Sequence, residues 1–113
     1  MSISEFTIKQ NDTLEAIVAI LDDSAGSAFS LAGATVVFSM RSLTTNVLII
    51  DNVAATIMDA ALRKVKYDWV TGDTVIAGDY LAEFEVTFSD GKIQTFPNGL
   101  NAGIVIHIIP QVG

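Results

Sequence analysis

Three groupings in this chain have residue types and spacings that chemistry could use. His107 is the only histidine among 113 residues, and it stands in an otherwise aliphatic run, GIVIHII. A lone imidazole in a chain without cysteine cannot build a multi-histidine or thiolate metal centre. A partly buried or interface position suits it better. Glu83 and Glu85 fall on one side of an alternating stretch, about 7 Å apart if that stretch is a strand. Glycosidases hold two carboxylates at a comparable separation, but across a sugar in a cleft. Two glutamates in the middle of a strand make a solvated face instead. Asp22 and Asp23, followed by Ser24-Ala25-Gly26, suggest calcium, yet the further acidic ligands and the distal bidentate glutamate of an EF-hand loop are missing. No glycine-rich phosphate loop opens a helix after a strand. The expectation is a non-enzymatic protein with no catalytic residue, cofactor or metal.

The elements that would position these groups read as strands. Residues 73–97, DTVIAGDYLAEFEVTFSDGKIQTFP, hold the clearest pattern. Tyr80, Ala82, Phe84, Val86 and Phe88 alternate with Leu81, Glu83, Glu85 and Thr87, the period of a half-buried strand. Ser89-Asp90-Gly91-Lys92 then supplies a hairpin turn. Asp73, a loop, Gly78 and Tyr80 resemble the corner of immunoglobulin-like sandwiches, where a tyrosine hydroxyl bonds back to upstream backbone. Asp73, Gly78 and Tyr80 are therefore candidate structural corner residues.

Similar patterns recur along the chain. Residues 34–41, ATVVFSMR, alternate, as do residues 64–69, KVKYDW, with Val65, Tyr67 and Trp69 on one face and Lys64, Lys66 and Asp68 on the other. Residues 6–9 suggest a short opening strand. Residues 47–50 and 54–58 suggest a strand pair, or one strand interrupted at Asp51-Asn52, and residues 98–102 suggest a loop. Two runs are apolar on both faces, residues 14–21 (LEAIVAIL) and residues 103–109; a helix of about two turns fits the first by period alone, but the turn residues at both its ends favour a strand. The two runs make Leu14, Ala16, Val18, Ile20, Val105, His107 and Ile109 candidate interface residues. Turn signals every ten residues or so predict one domain over residues 1–113, an all-β, immunoglobulin-like antiparallel β-sandwich of about seven to nine strands.

Composition narrows the function. Thirteen acidic against six basic residues give a net charge of −7, which repels a phosphate backbone, so no nucleic acid is expected. Half the residues are hydrophobic and only 17% are charged, with a mean hydropathy of +0.50. No apolar run approaches the roughly twenty residues of a membrane span. The excess apolar content instead suggests surface that assembly covers. The N-terminus lacks a basic region followed by an apolar core, so no signal peptide is read.

The blocks IKQNDT, LAGATVVFSMR, VKYDW and DTVIAGDYLAEFEVTFSDGKIQTFPN resemble the N-terminal domain of siphophage upper baseplate proteins, the BppU-like family. The likeness spans residue 8 to about residue 108, with Asn11 where the family usually has glycine. It implies an immunoglobulin-like phage virion protein, made in the host cytoplasm and located in the virion. The function it implies is an attachment or assembly module on the tail or baseplate, or alternatively a capsid decoration protein on the head. Its partners would be other virion proteins, in a homo-oligomer or on a symmetric assembly. The longer members add a C-terminal region that carries receptor-binding proteins, absent from these 113 residues. A weaker alternative is a host glycan-binding module, for which the aromatics near loops are Phe29 and Phe96.

Overall fold

A computed structural model describes residues 3–23, 25–26, 28–98 and 103–112. These residues form nine strands and no helix: β1 (Ile3–Lys9), β2 (Ile17–Ile20), β3 (Thr35–Ser42), β4 (Leu48–Ala54), β5 (Thr56–Asp59), β6 (Lys64–Tyr67), β7 (Gly78–Thr87), β8 (Ile93–Phe96) and β9 (Gly103–Ile109). One sheet runs β1-β9-β7-β3-β4, with β8 also on β7; the second runs β2-β6-β5. β8 and β9 lie end to end along β7, at residues 84–87 and 78–82 respectively.

Alternation decides which side chains go inside. Val36, Phe38 and Met40 of β3, Tyr80, Ala82, Phe84 and Val86 of β7, and Ile104, Ile106 and Ile108 of β9 all face the second sheet, which contributes Ile17, Val65 and Tyr67 to the same core. The chain is thus an all-β sandwich. Phe38 joins its halves: its ring stacks on Tyr67 at 4.4 Å between centroids, with Phe84 at 5.0 Å and Trp69 at 6.0 Å. Trp69 is buried, and its indole N–H has no hydrogen-bond partner among the described residues.

Several strand boundaries differ from the sequence expectation. β1 pairs parallel with β9, from Ile3 opposite Gly103 to Lys9 opposite Ile109, so the large sheet is mixed rather than purely antiparallel. A parallel pair needs a long connection between its strands, and here most of the chain lies between them. In the run at residues 14–21 only β2 is strand, because β6 offers it just four partners, Lys64 to Tyr67. Leu14 sits outside it, 98% exposed. β4 continues as one strand through Asp51-Asn52, but its register shifts there: Phe38 pairs with Val53 and Met40 with Ile50, so the two residues form a bulge against β3. Asn52, at φ 51°, is held beside β3 by Ser39, whose hydroxyl accepts from the Asn52 amide at 3.0 Å and donates to its Oδ1 at 3.2 Å. The break comes at Ala55, where the chain leaves the large sheet for β5 of the small one. β6 ends at Tyr67, so Trp69 is buried from a loop. Of the loop expected at residues 98–102, residues 99–102 lie outside the described residues, as does Ser24 of the Asp22-Asp23 turn.

The segment before β7 forms a hydrogen-bonded corner. The Tyr80 hydroxyl donates to the Ile76 carbonyl at 2.6 Å. Asp73 Oδ2 accepts from the Tyr67 hydroxyl at 2.6 Å and from the Val70 amide at 2.8 Å. Gly78 opens β7 at φ 151°, and a Cβ built there would sit 3.9 Å from the Tyr80 ring. Burial pushes the Tyr80 phenol above its ordinary range, so at neutral pH it is protonated and donates. Tyr80→Phe removes one hydrogen bond and is expected to cost about 1 kcal/mol. Thermal unfolding checks this; an unchanged melting temperature would show that the corner does not depend on that bond. Past β7, the hairpin closes with the Phe88 amide donating to the Lys92 carbonyl at 2.8 Å and Gly91 at φ 89°, a conformation open to glycine at little cost.

Candidate functional site

The two sheets turn chemically different faces outward. On the large sheet, the residues between the buried positions are Glu5 and Thr7 of β1, Val105 and His107 of β9, Asp79, Leu81, Glu83 and Glu85 of β7, and Val37, Ser39 and Arg41 of β3. On the small sheet, Val18 and Ile20 of β2, Lys64 and Lys66 of β6, and Thr56 and Met58 of β5 point outward.

His107 lies at the centre of a three-strand ion cluster on the large-sheet face. Its Nδ1 is 2.7 Å from Asp79 Oδ1, directly across on β7, and its Nε2 is 2.9 Å from Glu5 Oε1 on β1. Only the imidazolium can donate at both nitrogens, because a neutral ring would set a lone pair against one of the carboxylates. The hydrogen bond to Glu5, then that to Asp79, raise the His107 pKa above 6.5 against a smaller opposing effect of desolvation. Thr7 and Lys9 share the face on β1, Leu81 on β7, and Val105 and Ile109 on β9. A raised folded-state pKa means that the cluster stabilises fully below pH 6.5 and that this contribution is lost as pH rises through the folded value. The melting temperature of the wild type is therefore expected to fall from pH 6 into the alkaline range more steeply than that of His107→Gln. Parallel curves for the two proteins would show that the cluster adds nothing to stability.

The remaining chemical candidates come apart in the fold. Glu83 and Glu85 stand on the outer face of β7, opposite Ser39 and Val37 of β3; Glu83 is exposed and borders a depression shared with Ser39, Arg41, Leu48 and Leu81, and Glu85 is half-buried. Among the described residues no group of three or more His, Cys, Asp or Glu side chains is placed to hold a metal ion. Asp23 Oδ1 accepts from the Ala25 amide at 3.0 Å and from Asn98 at 3.1 Å. The aromatics expected near loops are committed to packing. Phe29 stacks on Phe96 at 5.1 Å, meets Phe88 edge-on at 6.0 Å and lies under the Arg63 guanidinium at 5.3 Å. Phe96 itself belongs to β8 and is 1% exposed.

The candidate interface residues divide between the two faces. Val18 and Ile20 lie on the small-sheet face, 47% and 57% exposed. Val105, His107 and Ile109 lie on the large-sheet face, on the other side of the sandwich. Ala16 is half-buried before β2, and Leu14 projects from the turn ahead of it. One flat partner cannot touch both groups at once. Sequence reasoning did not name Met58, 47% exposed beside them on β5, nor Lys64 and Lys66 as interface residues. Alternation had already placed the two lysines outward.

No family model and no curated protein matches the chain. Among solved structures, CopC from Methylosinus trichosporium OB3b is similar, with a TM-score of 0.54 and 16% identity over 97% of this chain and 88% of that one. At that identity the likeness shows a shared fold, a β-sandwich. The finding corrects the functional expectation taken from the baseplate resemblance. The neighbour is CopC, not a tail, baseplate or head component, so neither a virion attachment module nor a capsid decoration protein is retained. The glycan-binding alternative falls with them, since its two loop aromatics are spent on the core.

Proposed function

We propose that this domain is non-enzymatic and acts by protein–protein contact, associating with a second copy of itself through the outer face of β2-β6-β5. One observation carries this reading: Val18, Ile20 and Met58 stay exposed on a sheet face where alternation would ordinarily place polar residues. Val18 lies directly opposite Lys66, and Ile20 opposite Lys64, so the lysine stems extend the apolar patch. Elsewhere the histidine is held at both nitrogens by structural partners, which suits a protein without a reaction to perform.

The size of the face sets the strength of the contact. Three strands about 4.8 Å apart and four residues long make roughly 200 Å² of sheet, well below the ~800 Å² per partner of a stable interface. Residues outside the three strands, such as Leu62 in the turn between β5 and β6, 59% exposed, must add to it, and the association is weak and concentration-dependent. Light scattering over a concentration series is expected to show a mass rising above that of the monomer. Val18→Asp with Ile20→Asp is expected to weaken the association at least tenfold, about 1.4 kcal/mol, while leaving the far-ultraviolet circular dichroism unchanged. A wild type that stays monomeric at the highest concentration overturns the proposal.

A further inference from the structure

Charge selects which surface of the second copy meets the β2-β6-β5 face, and this step rests on the self-association proposed above. The chain has six basic residues, and Arg63, Lys64 and Lys66 cluster on or beside β6, the middle strand of the small sheet. Arg63 is engaged by Asp22 at 3.0 Å, and Lys66 reaches only the exposed Asp68, at 3.4 Å. Were two small-sheet faces to meet about a two-fold axis, the lysines of one copy would face those of the other, and like charges brought together in a contact oppose it.

The complementary surface lies on the opposite side of the same molecule. Glu83 and Glu85 project from β7, the middle strand of the large sheet, without an ion-pair partner among the described residues. Glu5 and Asp79, farther along the same face, share the single positive charge of His107, and Arg41 lines the same depression as Glu83. Lys64 and Lys66 are two residues apart on one strand, and so are Glu83 and Glu85. Both pairs therefore have the same spacing, about 6.7 Å, and sheets packed face to face stand about 10 Å apart, a gap that a lysine and a glutamate span together. Val18 and Ile20 flank the lysines, while Val37 lies opposite Glu85 and Leu81 precedes Glu83 on the same face, so apolar surface flanks the charges on both sides.

We infer that copies of this domain stack front to back, with Lys64 and Lys66 of one copy against Glu83 and Glu85 of the next. The two contacting surfaces differ, so the contact is heterologous and propagates into a ring or an open chain, not a closed dimer.

Two charge-reversal variants, Lys64→Glu/Lys66→Glu and Glu83→Lys/Glu85→Lys, test this by sedimentation at matched concentrations, with circular dichroism to confirm that each is folded. Each variant alone is expected to associate at least tenfold more weakly than the wild type. An equimolar mixture is expected to associate again, since the intact glutamates of the first variant meet the intact lysines of the second. Should either reversal prevent folding, Glu83→Gln/Glu85→Gln is expected to weaken the wild-type association in the same direction. Association of the folded Glu83→Lys/Glu85→Lys variant at wild-type strength overturns front-to-back stacking, as does a mixture that stays monomeric. If that variant still associates while Val18→Asp/Ile20→Asp does not, the small-sheet face remains the docking surface and only its partner surface is wrong. A monomeric wild type removes both.

Discussion

Phe38→Ala is expected to lower the unfolding free energy by about 3–5 kcal/mol, the range for a buried phenylalanine truncated in a core. Phe38 is fully buried and is the residue of β3 whose ring stacks on Tyr67 of the opposite sheet. Removing it opens a cavity at the junction of the two sheets and strips partners from Tyr67, Trp69 and Phe84 together. Small domains hold about 5–15 kcal/mol in all, so this single change consumes a large part of the total. At about 4 °C per kcal/mol for a domain of this size, the melting temperature should fall by roughly 12–20 °C. Urea and thermal unfolding followed by circular dichroism measure both quantities. A loss below about 1 kcal/mol would mean that the rings around Phe38 close over the gap, and that the sandwich does not depend on that stack.

Asp73→Ala is the second large effect. The carboxylate accepts from both the Tyr67 hydroxyl and the Val70 amide through one oxygen, Oδ2. Tyr67 is 2% exposed. Burial first, and then the hydrogen bond and charge of Asp73, push its phenol well above the ordinary range, so at neutral pH the hydroxyl is protonated and donates. Without Asp73 it is left unpaired in the interior, a penalty of about 1–3 kcal/mol, and the lost bond to Val70 adds about 1 kcal/mol. The expected total is about 2–4 kcal/mol. A double-mutant cycle isolates the cause: in a Tyr67→Phe background, Asp73→Ala should cost at least about 1 kcal/mol less than it does alone. Equal losses in the two backgrounds would place the role of Asp73 in the 70–73 turn, away from the tyrosine.

Much of the scaffold was legible from local pattern. The alternation of residues 80–87 became the inward and outward faces of β7, because side-chain period follows directly from strand geometry, while Phe88 lies just past its end. Ser89-Asp90-Gly91-Lys92 became the hairpin, and Asp73, Gly78 and Tyr80 all stand in the hydrogen-bonded corner ahead of β7. Strand ends were less legible. The run at residues 14–21 is apolar throughout, yet its strand stops where β6 stops offering partners.

The candidate site was legible only in part. Val18, Ile20 and His107 were named from the runs that are apolar on both faces. What His107 does there was not, because its partners Glu5 and Asp79 lie 102 and 28 residues away.

The sequence by itself determined an all-β sandwich, the side-chain parity of its main strands and the absence of a thiol, because composition, period and turn chemistry are properties of neighbouring residues. Only the tertiary structure decided that β1 joins β9 in parallel, that β5 leaves the sheet of β4, and that Phe29, partly buried, stacks on Phe96. It alone also set Lys64 and Lys66 on one side of the molecule and Glu83 and Glu85 on the other. Each of these outcomes depends on which distant segments pair and how their areas match, and no local pattern of residues encodes that choice.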